Sequence, residues 1–155
     1  MNYDVVIIGA GPAGLFAAYE LIEKNKKLKV CVLDRGNSVK TRVCPMAKKG
    51  VPCQNCNPCN ILSGYGGAGT FSDGKLTTNV NSELNRVVLE TFVKFGAPEE
   101  ILYTTKAHIG TDNLRKVIKN MREEILRLGG IVNFNSKVSN IKFSEEKVRK
   151  KRKNE

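Results

Sequence analysis

The sequence predicts an α/β protein built around a parallel β-sheet, and three observations carry that prediction. A continuous apolar run, Val5-Val6-Ile7-Ile8, leads into the pattern Gly9-Ala10-Gly11-Pro12-Ala13-Gly14 and then into helical spacing from Leu15 to Ile22. A second apolar run, Val30-Cys31-Val32-Leu33, ends in an acid, Asp34, twenty residues beyond Gly14. A third, Ile131-Val132-Asn133-Phe134, follows a long amphipathic segment and reads as a third parallel strand. Strand, glycine turn, helix, strand and acid in this order make a Rossmann-like βαβ unit of the kind that holds a dinucleotide.

Each residue of the turn has a physical task. Gly9 permits the sharp exit from the strand, Gly11 lets backbone approach a diphosphate, and Gly14 lets the helix lie close on the strand. Pro12 suits the first helical turn, where no amide hydrogen is needed, and Ala13 completes it. Unpaired amides and the positive end of the helix dipole then face the diphosphate, each contact worth roughly 0.3–1 kcal/mol. The Asp34 carboxylate can accept both ribose hydroxyls of an adenosine, and it would repel a 2′-phosphate, which disfavours NADP. This unit alone is compatible with FAD and with NAD.

Composition narrows the function classes. The chain has 155 residues, 41% of them hydrophobic, which is enough for one domain with a core. Its net charge of +11 includes six cations packed into Lys147, Arg149, Lys150, Lys151, Arg152 and Lys153. Elsewhere the basic residues are neither interleaved with aromatics nor set on a recognition helix, which argues against nucleic acid as a partner. Residues 5–19 carry no charge, but Asp4 precedes them, glycines and Pro12 interrupt them, and Glu20 follows in the same helix. That pattern argues against a signal peptide or membrane span and for a soluble cytoplasmic protein. Five cysteines without an export signal then point to metal, redox chemistry or packing rather than disulfides.

Four of those cysteines fall in a stretch without period, Gly36 to Ser63, broken by Pro45, Gly50, Pro52 and Pro58. A structureless excursion of this length is uncommon unless it is functional, disordered or stapled. Cys53, Cys56 and Cys59 are spaced as consecutive Cys-x-x-Cys steps, and eight residues separate Cys44 from Cys53. The run is similar to the ligand pattern of an iron–sulfur cluster, with Cys44 as the fourth thiolate. Zinc, a redox-active Cys-x-x-Cys pair and four plain thiols are the alternatives. Cys31 lies inside a strand and reads as core.

Next comes Gly64-Tyr65-Gly66-Gly67-Ala68-Gly69-Thr70-Phe71-Ser72-Asp73-Gly74-Lys75-Leu76, with five glycines in its first eleven residues. Backbone here must adopt positive φ or pass close to something. No strand precedes the loop and it lacks the Gly-Lys-Ser/Thr order of a P-loop, so a loop laid along a cofactor is the expectation.

The cysteine stretch followed by residues 66–76 resembles the bacterial family of FAD-dependent dehydrogenases, flavoproteins with a glutathione-reductase-like FAD domain. The likeness continues through Gly96-Ala97-Pro98-Glu99-Glu100-Ile101 and His108-Ile109-Gly110-Thr111-Asp112, and it covers residues 3–143. It implies an FAD-binding domain over residues 1–146, including a Cys-rich insertion at 36–63, with 147–155 as a basic tail. It also implies FAD diphosphate contacts at Gly9, Gly11, Pro12, Ala13 and Gly14, and ribose contacts at Asp34 and its neighbour Arg35. The second glycine loop would lie near the flavin through Gly67, Gly69, Ser72 and Lys75, and backbone at Val138 would meet the adenine.

The remaining elements are read from their spacing. Residues 82–95 form an amphipathic helix with Ser82 as cap and Leu84, Val88, Phe92 and Phe95 on one face, the two aromatics as core; Gly96 and Pro98 stop it. His108, the sole histidine, lies in a connection and reads as structural. Thr111 caps a helix bearing Leu114, Val117, Ile118, Met121, Ile125 and Leu128, which Gly129-Gly130 ends. Ser139 to Phe143 could begin another strand, and Lys147 to Glu155 reads as a solvated, disordered tail.

Doubly wound order leaves Val5–Ile8 at the sheet edge although it is the most apolar strand, and natural proteins avoid such edges. The sequence therefore reads as the N-terminal part of a longer flavin-dependent oxidoreductase, with a small-molecule substrate or electron partner not encoded in these motifs. The competing readings are an NAD-dependent enzyme using the same turn, a non-catalytic iron–sulfur or zinc module built on the four cysteines, and an inert truncated product.

Overall fold

A computed structural model describes residues 2–104 and 107–143. Its centre is a three-stranded parallel sheet of β1 (Val5–Ile8), β2 (Val30–Leu33) and β3 (Ile131–Asn133), in the order β1-β2-β3. Val5 pairs with Val30, Ile7 with Val32, and Val32 with Val132, so these side chains share one face. The architecture is the α/β, Rossmann-like one that the sequence predicts.

Two helices cover that face. α1 (Pro12–Lys24) connects β1 to β2, and α4 (Thr111–Arg127) leads into β3; between them in sequence lie the short α2 (Pro45–Lys49) and α3 (Leu84–Lys94). α1 and α4 pack side by side through Leu15, Ala18, Tyr19 and Ile22 on one and Leu114, Val117, Ile118, Met121 and Ile125 on the other, all buried. The 3.6-residue period of the sequence is therefore the period of the core. Leu128 packs against it only in part. α4 ends as predicted: Gly129 takes φ +90°, its amide donates to Leu126 O at 3.0 Å, and the Gly130 amide donates to Ile125 O at 2.9 Å. This is a Schellman ending, in which left-handed glycine lets two orphan carbonyls find donors. A Cβ at Gly130 would lie 2.6 Å from Ile22 Cδ1, so small size there also seats α4 on α1.

Three expectations change and a fourth, the core aromatics of α3, holds. β1 is not covered on both faces: Val6 and Ile8 are 49% and 58% exposed, because among the described residues nothing lies over that face or pairs with that edge. α3 buries only Thr91 and Phe92 along its length, while Leu84 is 69% exposed. It docks by its C-terminal end, where Phe92 meets Phe16 edge-on at 5.5 Å and Phe95 meets Tyr19 at 5.1 Å. Helical caps also differ. Gly110, not Thr111, is the N-cap of α4, because the Thr111 hydroxyl donates to Ser72 O instead. Ser82 Oγ does accept the Leu84 amide at 3.2 Å, but the helix starts at Leu84. Finally, residues 139–143 form no strand, and Phe143 is exposed. The basic run at 147–155 lies outside the described residues.

Candidate functional site

At the carboxyl ends of the strands, the turn after β1 meets the end of β2. Gly9 adopts φ +104° and its amide donates to Leu33 O at 2.7 Å. A Cβ on Gly14 would sit 2.0 Å from Gly9 O and 3.3 Å from Ile7 Cγ2, so only glycine lets α1 start this close to the strand. Gly11 is the N-cap of α1, with no side chain capping the helix, and a Cβ there would project into open space. The first-turn amides of Ala13 and Gly14 have no helical acceptor, and Pro12 has no amide hydrogen to satisfy.

Asp34 is 7% exposed and joins the strand ends. Its Oδ2 accepts the Ala10 amide and its Oδ1 the Gly36 amide, each at 2.7 Å. Its own amide donates to Asn133 O at 2.9 Å, and its carbonyl accepts the Ser136 amide at 2.8 Å. A carboxylate offers about four acceptor directions, so two remain for hydroxyl donors after the two amides.

A cleft of ≈ 290 Å³ opens beside this carboxylate, and its walls include Gly9, Asp34, Arg35, Ser63, Lys137 and Val138. Arg35 spans one wall, its Nε donating to Ser63 Oγ at 2.9 Å. Four residues singled out in the sequence, Gly9, Asp34, Arg35 and Val138, thus come together although the chain separates them by more than a hundred positions.

The second glycine loop touches the first. The Gly66 amide donates to Ala10 O at 2.7 Å, and a Cβ on Gly67 (φ +66°) would lie 3.1 Å from Pro12 Cδ and 3.4 Å from Gly11 Cα. Gly67 is therefore laid against the turn. Gly69 stands nearer α4, beside Leu114. Ser72 and Lys75 are exposed and occupied locally: Ser72 Oγ donates to Gly69 O at 2.8 Å and accepts the Gly74 amide at 3.2 Å, while Lys75 pairs with Asp73 at 2.8 Å. Neither lines the cleft. His108 bridges Lys75 through backbone, away from it.

The cysteines do not form the expected ligand set. Among the described residues no three His, Cys, Asp or Glu side chains gather as a metal site would require, and all five cysteines are free thiols. Cys44 is the N-cap of α2, and the exposed Cys53 thiol donates to Asn55 Oδ1 at 3.7 Å. Cys59 is turned toward amides and guanidinium groups: hydrogen bonds from the Leu62 and Ile61 amides, aided by Arg42 and Arg35, hold its thiol below the usual range.

Residues 1–41 match the Thi4 family. An uncharacterized protein of Clostridium beijerinckii is 46% identical over 143 residues, which are 92% of this chain and 26% of that protein. The mitochondrial electron transfer flavoprotein-ubiquinone oxidoreductase of Arabidopsis thaliana is 54% identical over 43 residues, 25% of this chain and 7% of that one. The crystal structure of Thermovibrio ammonificans THI4 overlaps with a TM-score of 0.48 at 18% identity, covering 85% of this chain and 38% of that one. The chain spans about a quarter of the length of its Clostridium relative. No helix among the described residues is long and apolar enough to cross a membrane.

Two residues at the site had no signal in the sequence. Arg42 lies in a stretch without period, yet it is buried and donates to the carbonyls of Asn60, Tyr65 and Gly67, at the start of the second glycine loop. Tyr65, between two glycines, is also buried: its hydroxyl donates to Ile118 O at 3.0 Å and its ring meets Phe134 edge-on at 5.6 Å. Burial pushes that phenol up. Only long-range contacts reveal either.

Proposed function

We propose that this chain is the FAD-binding portion of a flavin-dependent oxidoreductase. The observation that carries the reading is the cleft in which Gly9, Asp34, Arg35 and Val138 meet beside the uncapped N-terminus of α1. Those groups fit an adenosine diphosphate: the free acceptor directions of Asp34 suit ribose hydroxyls, Val138 suits an adenine face, and the amides of Ala13 and Gly14 suit the diphosphate. Gly67 against Gly11 and Pro12 extends the path of a dinucleotide beyond its diphosphate. The match to an electron transfer flavoprotein-ubiquinone oxidoreductase favours a flavin over a nicotinamide as the far half.

FAD, when bound, would supply the electron or hydride chemistry. The chain's own part is binding and orientation. Asp34 sets the ribose while its two amide bonds hold the carboxylate in place, the glycine turn admits the diphosphate, and the charge of Asp34 excludes a 2′-phosphate. The test is flavin content of the purified chain, by acid release and chromatography, before and after reconstitution. About one equivalent of FAD, lost in Gly11→Val and Asp34→Ala, is the expected result. Binding of NADH with no uptake of FAD would replace this reading with a nicotinamide enzyme.

A further inference from the structure

Arg42 is 4% exposed, and its guanidinium donates to five acceptors. Nε donates to Asn60 O at 2.8 Å, Nη2 to Ile61 O, and Nη1 to Tyr65 O at 2.9 Å, Gly67 O at 2.9 Å and Thr70 Oγ1 at 3.0 Å. None of these acceptors is a carboxylate. Carbonyl dipoles solvate the cation without neutralising it, whereas buried charges are usually paired. Asp34 and Cys59 act on this cation through space and offset its charge in part, and a second cation adjoins it: Arg42 and the more exposed Arg115 both stack on Phe71, at 4.8 and 5.5 Å from its centroid, and Arg115 Nε donates to Thr70 O at 3.1 Å. One peptide away from Arg42, Gly67 rests on Gly11 and Pro12, where the α1 dipole is also positive. Three sources of positive potential therefore adjoin the turn, with the Asp34 carboxylate as the nearby negative charge.

We propose that Arg42, seconded by Arg115, is the positioning and charge-selecting residue of this site. It folds the 60–70 backbone into a loop over the glycine turn, and it supplies the field that selects a diphosphate-bearing ligand over an uncharged nucleoside. The selecting half rests on the reading that the turn receives a dinucleotide diphosphate. The folding half does not.

The test compares wild type with Arg42→Met, Arg42→Lys and Arg115→Met, using FAD, ADP and adenosine as probes and amide hydrogen exchange as a second readout. Arg42→Met should weaken FAD and ADP about tenfold at low salt while adenosine changes by less than about twofold, and high salt should shrink the difference. Arg115→Met, on an exposed helical position that the fold tolerates, should shift the ADP-to-adenosine ratio in the same direction by less. Exchange at the Gly66 and Gly67 amides should accelerate about tenfold or more in both Arg42 variants, because lysine cannot reach five acceptors, while lysine keeps the salt dependence. An unchanged ADP-to-adenosine ratio in Arg42→Met, or in Arg115→Met if the former does not fold, overturns charge selection. Unchanged loop exchange in Arg42→Lys overturns the folding role. A wild type that binds neither FAD nor ADP removes the dinucleotide reading and charge selection together, and the exchange result still decides the loop.

Discussion

The two halves of this molecule that meet at the cleft are built by opposite means. The β1-α1-β2 unit with α4 and β3 is held by apolar burial in a regular period, with Leu15, Ile22, Ile118, Met121 and Ile125 fully enclosed. The excursion from Gly36 to Gly74 contributes few core side chains, Tyr65 chief among them, and is organised around one buried cation whose donors reach carbonyls from Asn60 to Gly67. Area makes the first half stable, and direction makes the second half specific. Hydrogen bonds to a charged group are worth about 1.5–3 kcal/mol each only when geometry is right, whereas burial counts wherever an apolar side chain lands. A loop that must hold its backbone against a ligand is better served by the directional device.

The contrast can be broken in several places, taken from the largest expected effect down. Gly14→Val drives two methyl groups and a Cβ into the Gly9 carbonyl and should abolish cooperative folding, read as loss of a two-state urea transition. A folded Gly14→Val protein would mean that α1 does not start where described. Ile118→Ala should cost about 2–5 kcal/mol by urea denaturation, because Ile118 is enclosed between α1 and the loop. A cost under about 1 kcal/mol would show that the helical layer is not the stabilising half.

Asp34→Ala leaves the Ala10 and Gly36 amides without acceptors and should cost about 1–3 kcal/mol, together with loss of FAD uptake. Full stability with lost FAD uptake would assign Asp34 to the ligand alone. On the open face of β1, Val6→Thr with Ile8→Thr should alter stability by less than about 0.5 kcal/mol, since both are about half exposed. A larger loss would mean that another surface covers that face. Finest of all is Cys59. Amide hydrogen bonds and two arginines favour its thiolate, so alkylation of Cys59 should stay fast to lower pH than that of a cysteine in an unstructured peptide, followed by peptide mass spectrometry. Coincident pH profiles would separate the thiol from Arg42.

Much of the apolar half was legible in the sequence because its signals are local and periodic. Helical spacing at Leu114, Val117, Ile118, Met121 and Ile125 named the core face of α4, and Gly129-Gly130 named its end. The same logic named the core aromatics of α3, Phe92 and Phe95, while Leu84 on the same face stays 69% exposed. Periodicity states which side chains share a face, and burial needs a second surface. The excursion was illegible for the complementary reason. Cysteine spacing there evokes a metal, but coordination requires three or four thiols in one place, which is a property of the loop's path.

What the sequence determined by itself is the parallel βαβ frame, the glycine turn and the acid twenty residues on, because each depends on residues within one strand-turn-helix unit. Tertiary structure alone decided that Gly67 lies on Pro12 and that Arg42 is the hub of the second loop. The physical reason is range. Backbone sterics and side-chain period act over a few residues and are written in order along the chain, whereas a buried cation takes whichever carbonyls the folded path brings within three ångströms.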